Sequence, residues 1–439
     1  MELEGKQIAV LGAGTSGLTA AKLAKSRGAE VSAYDSGAPE DLAPAVSRFL
    51  DEGIVLTTGQ DALIPPANLD LIVISPGIDE KSDIGKAFVS TGAELQGEIE
   101  FAWRLGNAGV VAITGTNGKT TTTDLIAQIL NGSGVKTVAC GNYGLALSEV
   151  VLSGIDYDYY TLELSSFQLE TISKFRADVA VWMNFAPDHM DRYEHLDDYR
   201  NAKLRIFENQ KEDDWCVIKE GEEHQGNGNV VTFSAYSSES DFRLEDGSII
   251  SPEGTVILDY SDTRLNGRHN AENVMAAMAT ASCIGIKFDD MVETIINYTP
   301  PPHRCEVIAT IDEVVYVNDS KATNLHAIQS SLAGQSQPVV LIAGGKEKGL
   351  DFSEVTPLIR GNVRAVVCIG EIASKISDAW DSIVPCTSAD SLEEAVAIAK
   401  GKARQGDAVL FSPGTSSFDM FTGYEQRGDV FRTAVQALR

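Results

Sequence analysis

Basic residues are scarce in this chain: 35 lysines and arginines stand against 63 aspartates and glutamates, a net charge of −28 over 439 residues. That deficit excludes a nucleic-acid surface, which needs a clustered basic footprint. It also means that an anionic ligand must bind in a local basic pocket inside a repelling envelope. The acidity itself serves solubility. Cysteine is sparse as well. Its six copies (Cys140, Cys216, Cys283, Cys305, Cys368 and Cys386) are scattered, with no CxxC spacing. This excludes a zinc or disulfide framework and fits buried thiols of a reducing compartment. No apolar run approaches the ~20 residues that span a bilayer, and the N-terminus lacks the basic and apolar regions of a signal peptide. Internal repeats and low-complexity tracts are also missing. A cytoplasmic protein with no membrane insertion is expected.

What is present is an α/β pattern too long for one core, so two to four domains are expected. Residues 1–94 alternate strands at 7–11, 30–34 and 69–74 with a helix at 16–27 that stops at Gly28. Residues 95–299 begin with a helix at 98–105 and a strand at 110–113. Strands at 136–139, 159–164 and 179–184 follow, with helices at 120–130 and 196–207, a strand-rich stretch at 216–261 and a helix at 273–284. Pro300-Pro301-Pro302 is a stiff break suited to a linker. Residues 300–439 then alternate strands at 314–317, 339–343, 365–369 and 408–411 with helices at 324–332, 392–400 and 429–438.

Between the strand at 110–113 and the helix at 120–130 lies Thr114-Gly115-Thr116-Asn117-Gly118-Lys119-Thr120-Thr121-Thr122. A strand, a glycine loop, a lysine, a hydroxyl and a helix form the arrangement that holds a nucleoside triphosphate. Glycines let backbone N–H groups close on phosphate oxygens, and the helix N-terminus adds positive potential. Lys119 is placed to reach the β/γ-phosphates and Thr120 to set a hydroxyl on Mg²⁺. The common motif has one more glycine where Ile113 stands, so this is a shortened variant.

A second glycine run, Gly12-Ala13-Gly14-Thr15-Ser16-Gly17, also links a strand to a helix, with Asp35 at the end of the next strand. Alone it reads as a dinucleotide site. The same geometry also suits the diphosphate of a nucleotide-linked substrate, with Asp35 on its base or ribose. Glu163 ends a strand beside Ser165-Ser166, the usual place for a second Mg²⁺ anchor. Asp188, His189 and Asp191 crowd ligands or bases into four positions, and His189 reads as a metal ligand. Lys203, by spacing alone, is a surface lysine. Three strand ends in the last unit carry donors for an anionic second substrate: 318–324, the loop Gly344-Gly345-Lys346-Glu347-Lys348-Gly349, and 412–419.

The set GTNGKTTT, LELSSFQLE, DHMDRY, AKLRIFEN, GRHNAEN, HRCE, NDSKATN, GGKEKG and SPGTSSFDMFTGYEQRG, in this order from Gly12 to Gly428, resembles the Mur ligase family. LELSSFQLE and DHMDRY point to its D-glutamate-adding branch. The resemblance implies three α/β domains: an N-terminal Rossmann-like domain for a UDP sugar, a central P-loop ATPase-like domain, and a C-terminal Rossmann-like domain for the incoming amino acid. It implies that Gly14, Thr15, Ser16, Asp35, Ser36, Ser75, Gly77, Asn142 and Ser165 serve the UDP-N-acetylmuramoyl-L-alanine substrate. Gly115, Thr116, Asn117, Gly118, Lys119, Thr120 and Thr121, with Asn273, Arg304 and Asp319, would serve ATP. Thr323, Lys348, Ser417, Phe418 and Tyr424 would hold D-glutamate. Thr120, Glu163 and His189 would bind two Mg²⁺ ions, and Lys119, Glu163, His189 and Lys203 would be catalytic, with Lys203 carbamylated. A monomer is expected. The runner-up readings are a sibling ligase adding another amino acid and a folylpolyglutamate synthetase-like ligase. An NAD-dependent oxidoreductase or a non-catalytic nucleotide switch would leave the third-unit loops or the His189 cluster idle.

Overall fold

The apolar runs form parallel strands buried between layers of helix, as such strands require. The computed structural model describes residues 1–188, 192–335 and 337–438. Its first sheet holds β1 (Gln7–Leu11), β2 (Glu30–Asp35), β3 (Val55–Thr58), β4 (Leu71–Ile74) and β5 (Glu94–Gly97) in the order β3-β2-β1-β4-β5. Every pair in it is parallel. The order reverses about β1, so the loops after β1 and β4 open into one crevice, where ligands bind in open sheets of this kind.

The second sheet contains β6 (Gly109–Thr114), β7 (Thr137–Gly141), β8 (Tyr159–Glu163), β9 (Val179–Trp182), β10 (Trp215–Lys219), β11 (Asn229–Ser234), β12 (Phe242–Glu245), β13 (Ser248–Ile250) and β14 (Val256–Asp259). Their order is β14-β13-β12-β11-β10-β9-β6-β8-β7. Only the last three turn antiparallel, and Asp246 (φ 48°) with Gly247 (φ 83°) makes the tight turn that joins β12 to β13. β6 lies between β8 and β9, so the ends of these three strands share one edge. The helix Lys119–Gly132 leaves β6 and packs on Arg268–Cys283, whose middle is fully buried.

The third sheet has β15 (Glu306–Ile311), β16 (Val314–Asn318), β17 (Val339–Gly344), β18 (Val363–Ile369), β19 (Cys386–Ser388) and β20 (Ala408–Phe411), in the order β15-β16-β20-β17-β18-β19. Only β15 runs antiparallel to its neighbour. The loops after β16, β20 and β17 are therefore adjacent, which brings the three donor-bearing strand ends together.

The division expected at 94/95 lies within β5, which pairs with β4 in the first sheet. Glu94-Leu95-Gln96-Gly97 carries one strongly apolar residue, so its pattern did not mark it as a strand. The helix that follows, Glu98–Trp103, joins the first two units. Glu100, at the start of this joint, accepts from the backbone N–H groups of Ser173, Lys174 and Phe175 at 2.8–3.1 Å and from Arg104 Nε at 2.6 Å. One apolar cluster then runs without a break from Leu3 to Ile218. The third unit has its own clusters. Among the described residues no helix is long and apolar enough to cross a membrane.

Candidate functional site

Gly115 (φ 144°) and Gly118 (φ 84°) give the loop after β6 backbone angles that side chains resist. A Cβ on Gly118 would lie 2.4 Å from Asn273 Oδ1, so the loop seats directly on the second helix. Lys119 folds its ammonium back over the loop and donates to the carbonyls of Gly115 (2.8 Å) and Thr116 (2.9 Å). Thr120 Oγ1 donates to Glu163 Oε2 at 2.6 Å, and Asn142 Nδ2 donates to Glu163 Oε1 at 2.7 Å. Burial pushes the Glu163 carboxyl up, but the Lys119 charge and these two donors outweigh it and hold the group below its ordinary value.

Lys203 is the main departure from pattern reading. It lies on the helix Leu196–Leu204 with only 2% of its surface exposed. Its Nζ donates to the same Gly115 carbonyl at 2.9 Å and sits 4.9 Å from the centre of the Tyr199 ring. Burial, and then the Lys119 charge, lower its pKa well below that of a free lysine. Lys119 is lowered too, by burial first and the Arg304 charge second, against the pull of Glu163 and Asp188.

A cavity of about 230 Å³ collects these groups with Arg304, Lys321 and Thr323 of the third unit. Asn142 and Ser165, expected on the UDP-substrate path, open onto this same cavity. A second cavity continues from it between the central and third units. Asn117, Gly118, Thr121, Asn273, Arg304 and Asp319, all among the residues assigned to ATP by the resemblance, line it. Inside it Asp319 is fully engaged, accepting from Cys305 N (3.2 Å), Ser412 Oγ (2.9 Å) and Ser331 Oγ. Burial raises its pKa.

The residues expected to hold an amino acid are more dispersed. Thr323 lines the smaller cavity. Lys348 pairs with Asp188 at 3.0 Å and reaches the Thr323 carbonyl at 3.3 Å. The Tyr424 ring lies under the Lys321 ammonium at 3.7 Å. Ser417 is buried, whereas Phe418 is 65% exposed. His189, with Asp191, lies outside the described residues.

At the first sheet, Asp35 accepts from Ala13 N at 2.8 Å and Gly37 N at 2.9 Å, so its carboxylate shapes the first glycine loop. Gly14, Thr15, Ser36 and Gly77 are exposed and Ser16 is half-buried. Ser75 is buried with no partner for its Oγ among the described residues, and it lies where a Cβ on Gly12 would be 2.6 Å away.

Sequence reasoning picked out the 318–324 strand end that carries Lys321 and Asn324, but missed His326 in the cavity wall. Asn324 had a local signal: it caps the helix Leu325–Ala333, its Oδ1 accepting from Ala327 N at 2.9 Å. His326 had none, because its partner is Asn117, 209 positions away.

The likeness to known proteins runs the length of the chain. The Mur ligase middle domain matches residues 113–281, and the Mur ligase, glutamate ligase domain matches residues 303–414. The UDP-N-acetylmuramoylalanine--D-glutamate ligase of Thermoanaerobacter pseudethanolicus is 38% identical over 456 residues, covering 100% of both chains. That of Salinibacter ruber is 36% identical over 460 residues, covering 100% of this chain and 99% of the relative. Among solved structures, the UDP-N-acetylmuramate-alanine ligase of Thermotoga maritima superposes with a TM-score of 0.63 at 17% identity, covering 99% of this chain and 100% of the other. The MurF ligase of Thermotoga maritima in complex with ADP gives a TM-score of 0.62 at 16% identity, covering 90% of this chain and 92% of that one. At such identities the structures speak for the fold, and the curated relatives carry the assignment: the chain belongs to the Mur ligase family.

Proposed function

We propose that the protein joins D-glutamate to UDP-N-acetylmuramoyl-L-alanine with hydrolysis of ATP to ADP and phosphate, a step of peptidoglycan precursor synthesis. One observation carries the reading. Lys119, Arg304 and Lys321 converge on one cavity with Thr120 and Glu163, in a chain whose net charge is −28. That is the local basic pocket an anionic nucleotide needs inside an acidic envelope. The full-length relatives named for this reaction support the choice of substrates.

A carboxylate is a poor acceptor for an amine, and phosphorylation makes it reactive. In the proposed reaction a carboxylate oxygen of the L-alanyl group attacks the γ-phosphorus and ADP leaves. Lys119 swings from the Gly115 and Thr116 carbonyls onto the phosphoryl oxygens, and the loop amides hold the β-phosphate. The D-glutamate nitrogen then attacks the acyl phosphate carbon, its proton passes to His189 or another nearby base, and phosphate departs from the tetrahedral intermediate to leave an amide. Arg304 and Lys321, on the third unit, close the cavity and keep water from the acyl phosphate.

Thr120 Oγ1 and Glu163 Oε2, 2.6 Å apart at the cavity wall, form an oxygen donor set of the kind Mg²⁺ takes. We assign them to one such ion and His189 to a second. When bound, these ions neutralise charge on the transferring group. Lys203 is assigned as a carbamate. Its neutral amine would bond to the carbon of CO₂ with release of one proton. The Lys119 cation, which shares the Gly115 carbonyl with that amine, would thereby gain an anion as its neighbour. Gly14, Thr15, Ser16, Asp35, Ser36, Ser75 and Gly77 are assigned to the UDP moiety, and Thr323, Lys348, Ser417, Phe418 and Tyr424 to D-glutamate.

Phosphate release measured with purified protein is expected to need ATP, UDP-N-acetylmuramoyl-L-alanine and D-glutamate together. Equal turnover with L-lysine, meso-diaminopimelate or a folate would reassign the chain within the family.

A further inference from the structure

The nucleotide loop is held from two sides, and only one belongs to its own unit. The Asn117 backbone is clamped by Asn184, whose Oδ1 accepts from Asn117 N at 2.9 Å and whose Nδ2 donates to Asn117 O at 3.0 Å. Its side chain points across the cavity to the third unit. Asn117 Nδ2 donates to His326 Nδ1 at 2.7 Å, and Asn324 Nδ2 approaches Asn117 Oδ1 at 3.4 Å. Asn324 also donates to Asp188 Oδ2 at 3.0 Å while capping the helix that carries His326. One helix start of the third unit is thus fastened to two loops of the central one. The Asn117 Nδ2 amide can only donate, so His326 Nδ1 is the acceptor, and burial, then the Lys219 charge, lower the ring's pKa in keeping with that role.

We propose that His326 is a positioning residue for the reaction: with Asn117 it latches the third unit over the nucleotide loop, so that loop geometry and closure change together. Its kinetic meaning rests on the function proposed above; the latch itself does not. Both residues line the nucleotide cavity, so a displaced helix start withdraws a wall of the site and releases the Asn117 side chain at once. The 2.7 Å bond is short and its partners are largely shielded from water, conditions under which losing it shifts an opening equilibrium by about 2- to 10-fold.

Hydrogen exchange on the full, ligand-free chain tests this. In His326→Ala, amides of segment 115–118 are expected to exchange about 2- to 10-fold faster, although the substitution lies in another unit. His326→Asn, which keeps an acceptor near the Nδ1 position, is expected to restore protection. A merely structural role would loosen only residues 325–333, and that result, or unchanged exchange at 115–118, overturns the latch. Should His326→Ala unfold the third unit, Asn117→Ala reads the same contact from the other end. It is expected to speed exchange at the start of the 325–333 helix, and no change there overturns the proposal. Wild-type turnover, assayed separately, judges the reaction: its absence would remove the kinetic role while leaving the exchange result to decide the latch.

Discussion

Two glycine loops in this chain have the same plan and different contents. Each follows a central parallel strand, opens a helix and lies where strand order reverses. The first, Gly12 to Gly17, has no lysine; a carboxylate, Asp35, braces its backbone from the next strand, and its tip is exposed. The second, Gly115 to Thr120, carries the half-buried Lys119 and lies against the buried side chains of Lys203 and Glu163. Backbone amides at a helix start suffice to hold a phosphate group. Changing its bonds needs charge placed where charge develops, in a site with little water to screen it. The first loop is thus equipped to bind and the second to react.

The comparison breaks most directly at Lys119. Lys119→Ala is expected to reduce ATP-dependent phosphate release roughly 10³-fold. Thermal stability is expected to fall modestly, because the buried Glu163 carboxylate loses the charge that offsets its burial. Turnover near wild type would show that the second loop is no more chemical than the first. Glu163→Gln comes next. It keeps the shape and an acceptor for Thr120 but loses the charge, and roughly a 10²-fold loss of kcat is expected with the protein still folded. An effect confined to KM would move Glu163 into the binding class.

Asp35→Asn probes the first loop, and its effect should be smaller and of another kind. Weakening two charge-assisted bonds at 2.8 and 2.9 Å is expected to raise KM for the UDP substrate about tenfold, with kcat and the KM for ATP near wild type. A fall in kcat at saturating substrate would erase the distinction between the loops.

Both loops were legible in the sequence for a physical reason. A strand buried on both faces must read as an apolar run, and a backbone that closes on phosphate must use glycine. Contents that depend on distant contacts were not legible. Lys203 sits on a short helix with acidic and polar neighbours and reads as solvated. Its burial comes from Tyr199 and from the loop carbonyl of Gly115, 88 positions away. His326 looks like any histidine near a helix start until the third unit is placed against Asn117. β5 was overlooked because a four-residue strand with one leucine has no period to detect. The sequence therefore located the two loops and left the electrostatics around them to the tertiary fold.

That electrostatic difference has a signature in stability, the smallest of the expected effects. Burial, then the Arg304 charge, bring Lys321 down to about 8. In the unfolded chain it titrates near 10.5. Below pH 8 both states carry the proton and the native state bears the full cost of the buried charge. Between pH 8 and 10.5 only the unfolded state keeps it. Stability from this group therefore rises with pH, is complete above the unfolded value and is lost as pH falls through the native one. Lys321→Met should flatten the slope of unfolding free energy in that interval by up to one proton, about 1.4 kcal/mol per pH unit at most. Chemical denaturation at pH 8, 9 and 10 measures it. An equal slope in wild type and variant would mean that the Lys321 ammonium is solvated in the native state, and the cleft would then be less unlike the open loop of the first unit than its packing indicates.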